Sequence, residues 1–209
     1  MNTRTVENEA RISILGLGNV LLGDDGFGPC VVELFRCGYE CDPEVEIVDL
    51  GTPGLDLTPY LYGRDLVVIA DAVDAPNSPG TVCCYKYEDV PTRTVQLRLT
   101  GHDPGLTEAV AQLRLLGQAP AELIVIGAVP ESCEFNEGIS SSVLKAASAV
   151  VHSIAGLLVN RGVHCPRRLA PLSANLWWLS DDRSREVVMR LPLITESAKH
   201  GGSPEAVDA

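Results

Sequence analysis

The chain has 209 residues and a formal charge of −12 at pH 7, with 28 Asp and Glu against 16 Lys and Arg, which fits one domain with a proper core and room for a tail. The negative balance argues against nucleic-acid or anionic-membrane partners and favours cationic ones, metal ions included. No apolar run reaches the about 18 residues of a spanning helix, and "MNTRTVENEA" lacks the apolar core of a signal peptide, so a cytoplasmic protein without membrane insertion is expected.

"RISILG" (11–16) is a short apolar run ending in glycine and predicts a first strand. The glycine turn that follows, in "ILGLGNVLLGDDGFGP", sits where a phosphate is usually received by the bare N–H groups of the next helix. Here that position holds Asp24 and Asp25, which repel a phosphate, and Leu21 stands where a dinucleotide fingerprint needs glycine. Something positive is expected at this turn. A helix starts near Gly28: Pro29 suits its first turn, Val31, Leu34 and Phe35 share a face, and Gly38 ends it.

"VEIVDL" (45–50) predicts a second strand stopped by Gly51, and "PGLDLTPYL" a helical turn or two. "DLVVIADAV" (65–73) is the most continuously apolar stretch and belongs mid-sheet, buried on both faces. "TVCCYKYED" (81–89) predicts a fourth strand. Only "DAPNSPG" precedes it, too short for a parallel crossover, so the expected link is a hairpin and the fourth strand antiparallel. In "PGLTEAVAQLRLLG" (104–117), Leu106, Ala109, Val110 and Leu113 form one helical face. "ELIVIGAV" (122–129) is a fifth strand, and "SSVLKAASAVVHSIAGLLVNRG" a long closing helix with Val143, Ala147, Val150, Ile154 and Leu157 as its stripe and Gly162 as its stop.

The expected fold is a three-layer α/β sandwich: a mixed five-stranded sheet, ordered 2-1-3 and then strands 4 and 5, with helices on both faces. It covers residues 9–163. Residues 164–209 form a C-terminal extension in which Trp177 and Trp178 pack back or mark a contact surface, and "ITESAKHGGSPEAVDA" reads as a mobile tail. The seven cysteines make no C-x-x-C pair and no framework, which fits a reducing cytosol with most of the thiols as small hydrophobes.

Ligand sites in open α/β sheets form beyond the carboxyl ends of the strands, where strand order reverses. Asp25 follows strand one and Asp71 stands at the tip of "VVIAD" in strand three; in a 2-1-3 order both face one crevice. With Asp24 and Asp74 nearby, four carboxylates would repel each other unless a cation or shared proton intervened. His102 in "LTGHDPGL" precedes a helix capped by Asp103 and opened by Pro104, a position that keeps the imidazole neutral, as a metal ligand must be. The roughly dozen residues before it can span about 40 Å, enough to bring His102 back to the tip of strand three. Two carboxylates and an imidazole suit a borderline divalent ion such as nickel, zinc or iron. Neither an H-E-x-x-H helix nor a G-x-S-x-G elbow is present.

"GLGNVLLGDDGFGP", "VVIADAVDAPNSPGT", "GHDPGL" and "IVIGAVPES" occur in this order, and the chain resembles the hydrogenase maturation endopeptidases over residues 11–160. The resemblance implies a mixed five-stranded sheet between helices. It also implies an enzyme that removes a C-terminal extension from the large-subunit precursor of nickel–iron hydrogenase once nickel is in place. The family's metal-binding acid, "DA" aspartate and loop histidine fall on Asp25, Asp71 and His102, with the two aspartates doubling as catalytic candidates. Nickel is then held in, or shared with, the precursor, and no nucleotide is needed. Two other readings compete. A non-catalytic nickel chaperone would use the same ligands. A dinucleotide enzyme with Asp49 on the ribose would need the glycine that Leu21 replaces.

Overall fold

The computed structural model describes residues 10–52, 57–87 and 105–179, together with the backbone of 96 and 97. Strand β1 (Ile12–Leu17) is buried throughout and leads into a 3-10 turn, Gly23–Gly26, and then helix α1 (Phe27–Gly38). Strand β2 (Val45–Gly51), the single turn α2 (Thr58–Leu61) and strand β3 (Leu66–Asp74) follow. Next come β4 (Val82–Lys86), a two-residue strand β5 (Gln96–Leu97), α3 (Gly105–Leu115), β6 (Glu122–Ala128) and α4 (Ser141–Asn160).

The main sheet runs β2-β1-β3-β6-β4, with the first four strands parallel and β4 antiparallel to β6. The direction expected for β4 is therefore observed, but its neighbour is not β3. β6 lies between them, so the "DAPNSPG" link is a step across one strand rather than a hairpin. Seven residues easily cover two inter-strand spacings of about 4.8 Å each. The central place thus goes to the two most apolar runs, β3 and β6, side by side.

Alternation along the strands builds a core on each face. Ile12 and Ile14 of β1, with Val68 and Ala70 of β3, pack beneath α1 and α4, while Leu15 and Leu17, with Val67 and Ile69, pack beneath α2 and α3. This is the expected three-layer arrangement. Leu106, Ala109, Val110 and Leu113 are the buried face of α3, as their spacing predicts. Ser140 caps α4 by accepting the Val143 N–H at 3.3 Å. Among the described residues α4 is the one helix long and apolar enough to cross a membrane, yet half of that stretch is buried in this core.

One feature departs from the sequence reading. Cys41 and Cys165 form a disulfide across a sequence separation of 124, where no disulfide framework was expected and most of the thiols were read as small hydrophobes. Nothing local marks the pair; folding brings the start of β2 against the chain leaving α4. Around this bond the segment after α4 is laid onto the domain: Tyr39 bridges Arg167, Glu40 N–H reaches the Pro166 carbonyl, and Asn175 N–H reaches Glu33. Leu176 and Leu179 are buried against the α1–α4 core, with Trp178 packed beside them and Trp177 exposed. The tail reading of 194–209 lies outside the described residues.

Candidate active site

β1 is the pivot of the sheet. It pairs with β2 on one side and β3 on the other, and its connections leave in opposite directions, which makes its carboxyl end the switch point where α/β ligand sites form. The pairing of β1 with β3 ends at Gly16 and Ala70, and the register with β2 shifts between Gly16 and Leu17. β3 runs on past that point to Asp74, so Asp71 is the first β3 residue beyond its partnership with β1. It pairs there with Gly127 of β6.

Helix α1 is seated directly over this gap because two glycines let it approach. A Cβ at Gly28 would sit closer than 3.0 Å to the carbonyl oxygens of Leu17 and Ala70, and one at Gly16 would meet the Gly28 carbonyl. The same approach lowers the Gly23–Gly26 turn until it lies within 8 Å of β3, Cα to Cα. Asp25 lies in that turn, close to the end of β3 from which Asp71 extends. Both are withdrawn from water: Asp25 is 8% exposed and Asp71 1%. Asp25 also precedes the first turn of α1, whose dipole favours an anion, and its Oδ2 accepts the Asn19 N–H at 2.7 Å.

The four-carboxylate crevice is not what forms. Asp24 accepts backbone N–H groups from Glu131 at 2.7 Å and Ser140 at 2.6 Å, so it joins loops. Asp74 is exposed at the end of β3. Two acids remain. Adjacent aspartates look equivalent in sequence; the tight turn gives them different partners.

His102, with Asp103 and Pro104, lies outside the described residues. The chain on either side of it is placed. β5 pairs antiparallel with the end of β3, Val73 with Leu97 and Asp74 with Gln96, a strand the sequence reading missed because only two residues take part. α3 begins at Gly105. By parity with Val67 and Ile69, Asp71 points to the face of the sheet that α3 covers. Among the described residues no three His, Cys, Asp or Glu side chains converge as a metal site.

Carboxylates withdrawn from water near a strand end are equipped for general acid–base work on a peptide bond or for holding a cation. Comparison with known proteins settles the class. The family model for HycI, hydrogenase maturation protease, matches residues 29–157. The Hydrogenase 2 maturation protease of Escherichia coli K12 is 34% identical over 161 residues, covering 77% of this chain and 98% of that protein. The hydrogenase expression/formation protein HupD of Bradyrhizobium diazoefficiens is 33% identical over 179 residues, covering 85% and 93%. Among solved structures, the hydrogenase maturating endopeptidase HybD from E. coli superposes with a TM-score of 0.68 at 34% identity, over 76% of this chain and 98% of that one. The fold is that of the α/β maturation endopeptidases. The chain belongs to the hydrogenase maturation protease family.

Proposed function

We propose that this enzyme removes the C-terminal extension of the large-subunit precursor of a nickel–iron hydrogenase, in the cytoplasm, and that it recognises nickel already seated in the precursor through Asp25, Asp71 and His102. The observation that carries this reading is the pair of withdrawn carboxylates at the β1–β3 switch point of a maturation protease. Nickel here is part of the substrate. Two carboxylate oxygens and one imidazole nitrogen form a donor set suited to a borderline divalent ion, with positions left for the precursor's own ligands. The placement of β5 against β3, and of α3 over the Asp71 face, supports a return of the chain bearing His102 to this edge.

A precursor without nickel offers these residues nothing to bind, so metal insertion and cleavage become ordered. Asp25 and Asp71 hold the processed end of the precursor against the sheet edge. In this reading they also take a proton from the attacking water, as carboxylates withdrawn from solvent are equipped to do. The test is incubation of a large-subunit precursor, nickel-loaded and nickel-free, with the purified enzyme, followed by intact mass. One new fragment from the loaded precursor alone is the expected result. Equal cleavage of both forms would remove nickel from the reading, and cleavage of neither would remove the substrate.

A further inference from the structure

The turn that carries Asp25 is coupled to a second loop by an unbroken run of hydrogen bonds. Asp25 Oδ2 accepts the Asn19 N–H at 2.7 Å, and the Asn19 side-chain oxygen accepts the Leu21 N–H at 3.0 Å. The Leu21 carbonyl then accepts the N–H of Asn136, in the loop after β6, at 2.9 Å. Asn136 takes the left-handed backbone conformation, φ 65°, which asparagine tolerates better than most residues. Asp24 adds its bonds to Glu131 and Ser140, and its own N–H reaches the Ser132 carbonyl at 2.9 Å. The two loops therefore move as one body with Asp25.

This body presents two large apolar side chains to solvent. Leu21 is 40% exposed and Phe135, beside Asn136, is 64% exposed. Neither contributes much to the core, and the hydrogen-bonded backbone that carries them has little freedom left to lose when something binds there. Their place matters most. The Leu22 carbonyl accepts the Asp25 N–H at 3.0 Å, so Leu21 lies within one turn of the site carboxylate. An extended chain advances only about 3.3 Å per residue, so a polypeptide whose scissile bond is held at Asp25, as proposed above, has its neighbouring residues within reach of this turn.

We propose that Leu21 and Phe135 form an apolar lip that receives a hydrophobic side chain of the precursor next to the scissile bond, which makes them specificity-determining residues. The inference rests on the proposed function for its occupant. Binding here selects which segment of the precursor enters, whereas Asp25, Asp71 and His102 act on what has entered.

The test uses the full-length enzyme and the nickel-loaded precursor, with two readouts: steady-state cleavage over a range of precursor concentrations, and binding to immobilised precursor. Phe135→Ala and Leu21→Ala are compared with Leu115→Ala, an exposed leucine at the far end of α3. Phe135→Ala should raise KM and Kd about tenfold, the scale of an interface hot spot, with kcat within about twofold of the parent. The double variant should be weaker still, Phe135→Leu should recover most of the affinity, and Leu115→Ala should match the parent. Unchanged KM and Kd in the double variant would overturn the lip, as would a fall in kcat with KM unchanged. If the parent binds the precursor without cutting it, the functional reading fails and the binding comparison still decides the lip. If the parent does not bind it, both fail.

Discussion

The carboxylate of Asp24 and the backbone N–H of Ser140, 116 positions apart in sequence, meet at 2.6 Å. Because Ser140 also caps α4, this one contact ties the turn before α1 to the start of the closing helix. Hydrogen bonds to an ionised acceptor contribute about 1.5–3 kcal/mol. Asp24→Ala should therefore lower the unfolding free energy by about 2 kcal/mol or more in urea titration. It should also weaken cleavage, by loosening the turn that holds Asp25.

Asp25→Asn and Asp71→Asn should separate chemistry from folding. Each keeps the shape of the side chain and removes the anionic oxygen, so processing should fall at least about 100-fold, the scale of a lost acid–base group or ligand. Stability should stay within about 1 kcal/mol. His102→Ala should behave alike in the cleavage assay. A well-folded Asp71→Asn enzyme working at the parent rate would leave Asp71 with a structural role only.

Gly28→Ala tests the approach of α1 to the sheet. The added methyl meets the backbone carbonyls of Leu17 and Ala70, which cannot swing aside as a flexible side chain would. The helix must lift, at about 1–3 kcal/mol, and Asp71 follows Ala70 directly. Loss of activity together with a lowered thermal midpoint is the expected outcome; Gly156→Ala, where a Cβ meets nothing, is the control.

Burial, with the Glu33 charge adding to it, pushes the Cys30 thiol up to about 12 and the Cys37 thiol up to about 11, from 9.0. The folded state holds these protons more tightly than the unfolded chain does. Their contribution is therefore complete below pH 9 and declines as the pH rises through 9 towards 11 and 12. Tyr39, raised by burial, acts in the same direction. The urea midpoint should fall steadily above about pH 9, and both thiols should resist alkylation in the native protein at neutral pH.

Reducing the Cys41–Cys165 bond should cost about 2–4 kcal/mol, since closing a long loop constrains the unfolded chain. The double variant Cys41→Ser, Cys165→Ser should start at that lower stability and be indifferent to reductant. Indifference of the parent to reductant would show that the pair does not stay oxidised in solution.

What could be read in advance followed from local pattern. The continuous apolar run of β3, the 3-4 spacing of α3 and the brevity of "DAPNSPG" gave the layers and the direction of β4. They could not give its neighbour, because chain direction depends on a link while adjacency depends on which strand gains most by burial, and β6 gains more than β4. Asp25 and Asp71 were legible as strand-end acids. The division of labour between Asp24 and Asp25 was not, since it depends on the loop after β6. The Cys41–Cys165 pairing had no local signature at all.

That bond also divides the enzyme in an unusual way. It closes residues 41–165 into a covalent ring that includes Asp71, while β1, the turn with Asp25 and α1 stay outside as an arm. The two acids of the proposed site thus come from topologically different parts of one molecule. While the ring is closed, a single break in the backbone anywhere between Cys41 and Cys165 releases no fragment: the nicked chain migrates as one piece until it is reduced.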